Sequence, residues 1–180
     1  MTQTADSRSR AVLRPITQAD YPYLYTAEAE LGMRHRWRFN GGTPSPENYA
    51  AVLWAGVFAQ YIVTSPSRSE LIGLVTAYNI DPVHGIGYLS AAKFTDGLLS
   101  TAIFVDGFGQ FIDGIFAAAP LRKLYLETPQ YNIDQFGSAV GTVFTEEARL
   151  SEHRFHEDRY WDLVILSIRR AEWANFRIGP

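Results

Sequence analysis

Glu127 lies near the end of residues 123–128, a run in which a carboxylate sits among leucine, tyrosine and threonine. Apolar neighbours disfavour the charged form of a carboxylate. Such a group has a raised pKa and suits proton abstraction from an amine; a solvated carboxylate at a strand end is the plainer reading. His84 precedes a strand, where it either relays a proton or stays a surface loop residue. His153, His156, Glu157 and Asp158 have the composition of a metal set. Alternation along a strand puts His153 beside Phe155 and His156 beside Arg154 on the opposite face, so the two histidines do not converge and no metal site is expected. The chain has no cysteine, which removes disulfides, thiolate metal sites and a cysteine nucleophile.

The elements that must position these groups follow from punctuation and period. Residues 1–10 are polar and read as a disordered lead. Residues 11–17 have strand length, and Thr17 then stands as a helix N-cap with Asp20 three residues on. Residues 20–31 read as a helix, with Pro22 in its first turn. Residues 32–46 form a loop that carries Arg34, His35, Arg36, Trp37 and Arg38. Ser45 caps a second helix with Pro46 in its first position. Residues 58–65 and 71–80 read as strands around a turn, and 85–93 as a third strand. From Leu98 the period becomes helical: Ile103, Phe104, Phe108, Phe111, Ile112 and Ile115 recur at spacings of three and four until Pro120. Residues 123–128, 143–155 and 160–168 read as further strands, with a short helix or turn over 132–141. The last strand is apolar on both faces and is expected to be covered on both.

This alternation, with one long helix after a three-strand meander, indicates an α/β (α+β) sheet domain. A length of 180 residues and an apolar share of 47% fit one domain with a sizeable core, here 11–174, followed by a tail over 175–180. The net charge of -3 supplies no field for nucleic acid and no polybasic anchor for a membrane, so neither partner is expected. No signal peptide is read at the N-terminus. The longest apolar stretch, 98–120, is broken by Asp106, Gly107, Gly109, Asp113 and Gly114 and falls short of a membrane span. A cytoplasmic protein is the expectation.

The ordered series of segments resembles the Gcn5-related N-acetyltransferase superfamily over residues 11–173. Leu13-Arg-Pro-Ile-Thr with Asp20 looks like the opening strand and helix of its ribosomal-protein N-acetyltransferase branch. Ile86-Gly-Tyr-Leu is similar to the fourth strand, and Leu98-Leu-Ser-Thr-Ala to the start of the central helix. Asn132, Phe144-Thr-Glu-Glu-Ala and Tyr160-Trp-Asp-Leu resemble the segments that follow. The resemblance implies a mixed, mostly antiparallel sheet of about seven strands, parted between the fourth and fifth and flanked by about four helices.

It also implies acyl transfer from acetyl-CoA or another acyl-CoA to a primary amine of a small molecule or peptide, without a metal. Strand four (Leu89, Ala91, Lys93) and the loop and helix start (Thr95, Gly97, Leu98, Leu99, Ser100) would hold the donor, with Asn132 on the pantetheine arm or serving as a helix N-cap. Glu127 would be the base. Tyr131, Ser138 or Tyr125 would protonate the leaving thiolate, since Gln135 and Ala139 stand where the family places its serine or tyrosine. Arg34, Trp37 and Tyr88 would line an acceptor pocket suited to an acidic or aromatic acceptor. A homodimer is in keeping with such folds. The phosphate loop departs from the family pattern: only Gly97 of its glycines is present, and Asp96 brings a like charge. Two further readings therefore stand beside acyl-CoA transfer: a binding protein that has lost catalysis, and an acyltransferase whose donor is a carrier-protein pantetheine.

Overall fold

Period-two alternation turns the extended runs of the chain into one sheet of seven strands. The computed structural model describes residues 11–29, 42–66 and 68–178; the cluster with Arg34 and Trp37 and the lead 1–10 lie outside them. In chain order the elements are β1 (Val12–Pro15), a 3-10 turn (Gln18–Asp20), α1 (Tyr21–Ala29), α2 (Tyr49–Leu53), β2 (Val57–Ser65), β3 (Arg68–Asp81) and β4 (Ile86–Lys93). Then come α3 (Leu98–Ala118), β5 (Lys123–Pro129), a 3-10 segment (Gln130–Ala139), β6 (Thr145–His156), β7 (Arg159–Arg169) and α4 (Arg170–Ile178). The strands lie in the order β1-β2-β3-β4-β5-β7-β6. Every neighbouring pair is antiparallel except β4 and β5. That parallel pair needs a crossover, which α3 supplies.

The helical period from Leu98 does what its spacing requires. Ile103, Phe111, Ile112, Ile115 and Phe116 are buried in one cluster with Leu89, Leu124, Leu126, Leu166 and Ile168. Each such side chain contributes about 1.5–3 kcal/mol by leaving water. Gly107 lets α3 approach β2: a Cβ there would stand 2.6 Å from Val63 Cγ1. By length and composition α3 is long and apolar enough to cross a membrane, with a mean hydropathy of 1.2, which corrects the expectation that no segment approaches a span. Its apolar side packs on the sheet instead. On the other face, Leu24 of α1 and Tyr49 and Leu53 of α2 cover Ile62, Leu74 and Ala92. In β7, residues 163–168 are buried or half-buried, as two apolar faces require, while Arg159 and Tyr160 are exposed.

Two features differ from the sequence reading, and a third adds to it. Helix α2 is a short piece after a turn at Pro46, because Trp54 and Gly56 lead straight into β2. Helix α4 crosses the boundary drawn at 174: Trp173 donates from Nε1 to Asp113 Oδ1 at 2.7 Å and Arg177 to Asp113 Oδ2 at 2.8 Å, which fastens the segment to α3. Edge strand β6 is exposed over most of its length. It carries irregular register at Glu146/Ala148 and Leu150/Arg154, and Glu152 has φ 51. Bulges and charges of this kind blunt an edge against pairing with another copy.

Candidate functional site at the parting of β4 and β5

Strands β4 and β5 run in register from Ile86 opposite Lys123 to Leu89 opposite Leu126, and there the ladder ends. Ser90, Ala91, Ala92 and Lys93 continue against β3, opposite Thr76, Val75, Leu74 and Gly73. Glu127, Thr128 and Pro129 continue against β7, opposite Ile165, Val164 and Leu163. A cleft therefore opens between two parallel strands. β4 leads from it into α3, and β5 leads into the segment that carries Tyr131 and Asn132. Backbone groups of β4 and β5 that face the cleft lack the strand partner they have lower down, and such groups seek a ligand or water.

The start of α3 forms one lip. Gly97 adopts φ 115 and ψ 154, a region open to glycine almost alone, and space around the missing Cβ is empty. The first helical bond runs from Thr101 N to Gly97 O at 3.0 Å. The N–H groups of Leu98, Leu99 and Ser100 thus precede the helical ladder and point to where an anion is favoured. Lys93 Nζ donates to Thr101 Oγ1 at 3.1 Å and lies 3.7 Å from Asp96, whose side chain is in solvent. The like charge that Asp96 brings thus has a cation beside it. Thr95 Oγ1, two residues past β4, is buried without a hydrogen-bond partner among the described residues.

Asn132 forms the other lip. It is buried, and its Oδ1 likewise has no partner among the described residues. Each parted strand is thus followed by a buried polar atom without a hydrogen-bond partner among the described residues.

The remaining candidates distribute unevenly. Glu127 is at the parting itself, opposite Ile165, but its side chain is exposed. The expected desolvation by flanking leucines fails because those leucines, Leu124 and Leu126, point into the core under α3. Tyr88 is half-buried on the face opposite α3. Burial pushes its phenol pKa up, and the charge of Glu127 and the neighbouring Tyr125 add to the rise. The Tyr131 ring packs 4.6 Å from His156 and 5.4 Å from Trp161 at the β6–β7 tip. Ser138 is exposed beyond a kink at Gly137 and is not brought beside Tyr131. Leu89 and Ala91 bury or half-bury their side chains toward α3, so only their backbone is available to a donor. His84 is held by Asp81, Nδ1 to Oδ2 2.7 Å, in the turn before β4 at the far end from the cleft. It is no relay.

Sequence reasoning missed the neighbours of Tyr88. Tyr78 and Tyr125 lie beside it across β3 and β5. Lys123 is buried and pairs with Glu147, which also accepts from Ser167 Oγ at 2.8 Å. Alternation within 123–128 already put Lys123, Tyr125 and Glu127 on one face; the cross-strand register was the missing signal. Two cavities lie at the other end of the sheet. One, of about 1130 Å³, is open and borders the C-terminal end of α3, Arg122 and Arg170; one of about 230 Å³ lies between Gly141 and Phe176.

With that geometry in view, comparison with known proteins is informative at the level of structure. No protein-family model matches the sequence, and no curated protein does. Solved structures do. A spermidine N-acetyltransferase from Vibrio cholerae, in complex with CoA and spermine, superposes with a TM-score of 0.77 at 19% identity, covering 93% of this chain and 100% of that one. Mutant forms of a spermidine/spermine N-acetyltransferase from Vibrio cholerae give 0.70 at 18% identity, over 94% of this chain and 99% of that one. The fold is that of the Gcn5-related N-acetyltransferases. At this identity the likeness is one of fold, and it places the parting of β4 and β5 within a known architecture.

Proposed function

We propose that the protein is an N-acyltransferase that moves an acetyl or other acyl group from a CoA thioester to a primary amine of a small molecule or peptide. The observation that carries this is the end of the β4–β5 ladder at Leu89 and Leu126, with unpaired N–H groups at the start of α3 on one side and Asn132 on the other. Pantetheine lies in the cleft, hydrogen-bonded by backbone of β4 and by Asn132. The pyrophosphate rests on the N–H groups of Leu98, Leu99 and Ser100, with Gly97 keeping the approach clear of a side chain. The neighbour's bound CoA supports this donor.

In the reaction, the neutral amine nitrogen attacks the thioester carbonyl, and the oxygen gathers negative charge against a β4 backbone N–H. The C–S bond then breaks, the thiolate takes up a proton, and the nitrogen gives one up. Glu127, exposed at the parting, accepts the amine proton through water. Tyr131 follows β5 directly and Ser138 lies past the Gly137 kink; one of these or Tyr125 protonates the thiolate. Acceptors of two kinds fall within the proposal: peptide N-termini, from the opening segment of the ribosomal-protein branch, and small amines, as the neighbour's spermine supports. Cytoplasmic residence belongs to the same reading, as does a homodimer made through surfaces other than the bulged β6 edge.

Isothermal titration with acetyl-CoA tests the proposal: saturable heat at micromolar cofactor is expected, and no heat at high micromolar rejects an acyl-CoA donor. One observation favours a second reading in which a carrier protein bears the pantetheine. Leu98 is 93% exposed and Leu99 60% exposed at the mouth of the cleft, where a docking protein would cover them. Acyl transfer from acyl-carrier protein but not from free acyl-CoA selects that reading.

A further inference from the structure

The open cavity of about 1130 Å³ lies at the end of the sheet away from the parting, where β5 begins and β7 passes into α4. Its walls are of two kinds. Ala118 and Pro120 at the end of α3, with Ala171 and Ala174 of α4, are exposed and give it an apolar floor. Arg122, Arg169 and Arg170 give it a cationic rim, and among the described residues no carboxylate lines it. Lys123 borders it too, but its ammonium is matched by Glu147.

Backbone carbonyls, and not acids, hold two of the guanidinium groups. Arg170 donates from Nε to Leu121 O at 2.6 Å and from Nη2 to Ala119 O at 2.7 Å, and it stands 5.0 Å over the Phe116 ring. Arg122 donates from Nε to His84 O at 3.0 Å, which leaves its two Nη groups without a partner among the described residues. A carbonyl fixes a guanidinium in place without neutralising it. Arg169 reaches a carboxylate, that of Glu172, only at 4.0 Å. The rim is therefore both charged and fixed, on a chain whose net charge is -3.

Neither part demands an occupant alone: water satisfies an exposed arginine, and single alanines on a surface are ordinary. Together they select. A cation is repelled by the rim, a neutral hydrocarbon leaves the rim unmatched, and a small anion leaves the floor bare. The volume is also on the scale of small-molecule sites, about 300–1,000 Å³ where these are enclosed.

We propose that this hollow binds an amphiphilic carboxylate, one carboxylate on an unbranched apolar chain. The head pairs with the Nη groups of Arg122, while Arg169 and Arg170 add charge beside it. The chain lies along Ala118, Pro120, Ala171 and Ala174. Because the hollow is at the far end of β5 from Glu127, its ligand is neither acyl donor nor acceptor. The site stands whether or not the chain transfers an acyl group.

Titration calorimetry of the full chain with decanoate, decyltrimethylammonium and acetate, each below its micellar range, tests the proposal. The second compound has the chain with the opposite charge, and the third has the charge without the chain. Decanoate should bind at one site per chain, at least about tenfold more tightly than either. Arg122→Gln should weaken decanoate about fivefold without weakening decyltrimethylammonium, and Arg122→Lys should recover part of that loss. Ala174→Trp, which fills the hollow from an exposed position, should weaken decanoate at least about tenfold. If that variant does not fold, the Arg122 pair decides by itself. Equal affinity for decanoate and decyltrimethylammonium, unchanged decanoate affinity in Arg122→Gln or in folded Ala174→Trp, or no saturable decanoate heat each overturns the proposal. So does binding to phosphatidylglycerol vesicles without binding of decanoate, which would make the hollow a contact for a lipid surface.

Discussion

Leu89 stands opposite Leu126 on the last rung that β4 and β5 share. One residue further, Ser90 of β4 pairs with β3 and Glu127 of β5 pairs with β7. Both leucines are buried under α3, so the sheet is closed by apolar packing up to that rung and open beyond it. The parting is thus built into the strand pairing itself.

Asn132 tests what the cleft holds. Its Oδ1 is buried with no partner among the described residues, and a pantetheine amide would supply one. Asn132→Ala is expected to weaken acetyl-CoA binding about fivefold to tenfold, the equivalent of one hydrogen bond of about 1 kcal/mol. Titration calorimetry reads the affinity, and a thermal midpoint taken without cofactor shows whether the fold changed. An unchanged affinity would remove Asn132 from the donor site.

Gly97 carries a conformational prediction. At φ 115 and ψ 154 a side chain is strained by about 1–3 kcal/mol even though space around the Cβ is empty. Gly97→Ala should therefore either lower the denaturant midpoint or swing the start of α3 into another conformation. In the second case, the N–H groups of Leu98 to Ser100 lose their aim, and acetyl-CoA affinity falls with little change in stability. Wild-type values for both quantities would show that this backbone angle is dispensable.

Much of this was legible in the chain and some was not. The strand-helix order, the start of α3 after Gly97 and the covering of 163–168 on both faces follow from apolar spacing alone. The parting of β4 and β5 came from family resemblance, since spacing within Ile86-Gly-Tyr-Leu-Ser says nothing about where a neighbour leaves. Glu127 shows the limit of composition: leucines flanking it in sequence point through the sheet to the opposite face, so its carboxylate stays in water. Tyr78, Tyr88 and Tyr125 are far apart in the chain and meet only through register. Helix α4 was missed because Phe176 and Arg177 fell in the tail drawn from 175, until Asp113 of α3 is seen to receive Trp173 and Arg177.

Acid should act on the opening turn. Arg14 donates to both oxygens of Asp20 at 2.8 and 2.7 Å, and Thr17 donates to the same carboxylate from N and Oγ1. Chiefly through the Arg14 hydrogen bonds, the Asp20 pKa lies well below the usual carboxylate range. A depressed folded-state value means that the contribution to stability is complete above the unfolded value, near pH 4, and fades as pH falls below it. Asp20→Asn is expected to reduce stability at pH 7 by about 1.5–3 kcal/mol, because charged hydrogen bonds and a cap are lost together. Urea unfolding at pH 7 and at pH 3 checks the sign: the gap between wild type and variant must narrow in acid.

Lys123 and Glu147 make the sharper case, because both are withdrawn from water. The lysine side chain is 10% exposed and the glutamate 24%. Hydrogen bonding from Lys123, ahead of the contribution from Ser167, holds the Glu147 pKa below its ordinary value, so this pair too stabilises at neutral pH and weakens as pH falls through the carboxylate range. Glu147→Ala leaves an ammonium buried without its counter-charge, with an expected loss of about 2–4 kcal/mol. Removing both charges is different in kind, since an apolar pair has no desolvation to offset. Lys123→Met combined with Glu147→Leu should recover at least half of that loss at pH 7 and should lose less stability on acidification than the wild type. Urea midpoints for the single and double variants at pH 7 and pH 4 measure both effects. A double variant as unstable as Glu147→Ala would mean that the ion pair, and not the burial of an unmatched charge, supports the strands beneath the tyrosine row.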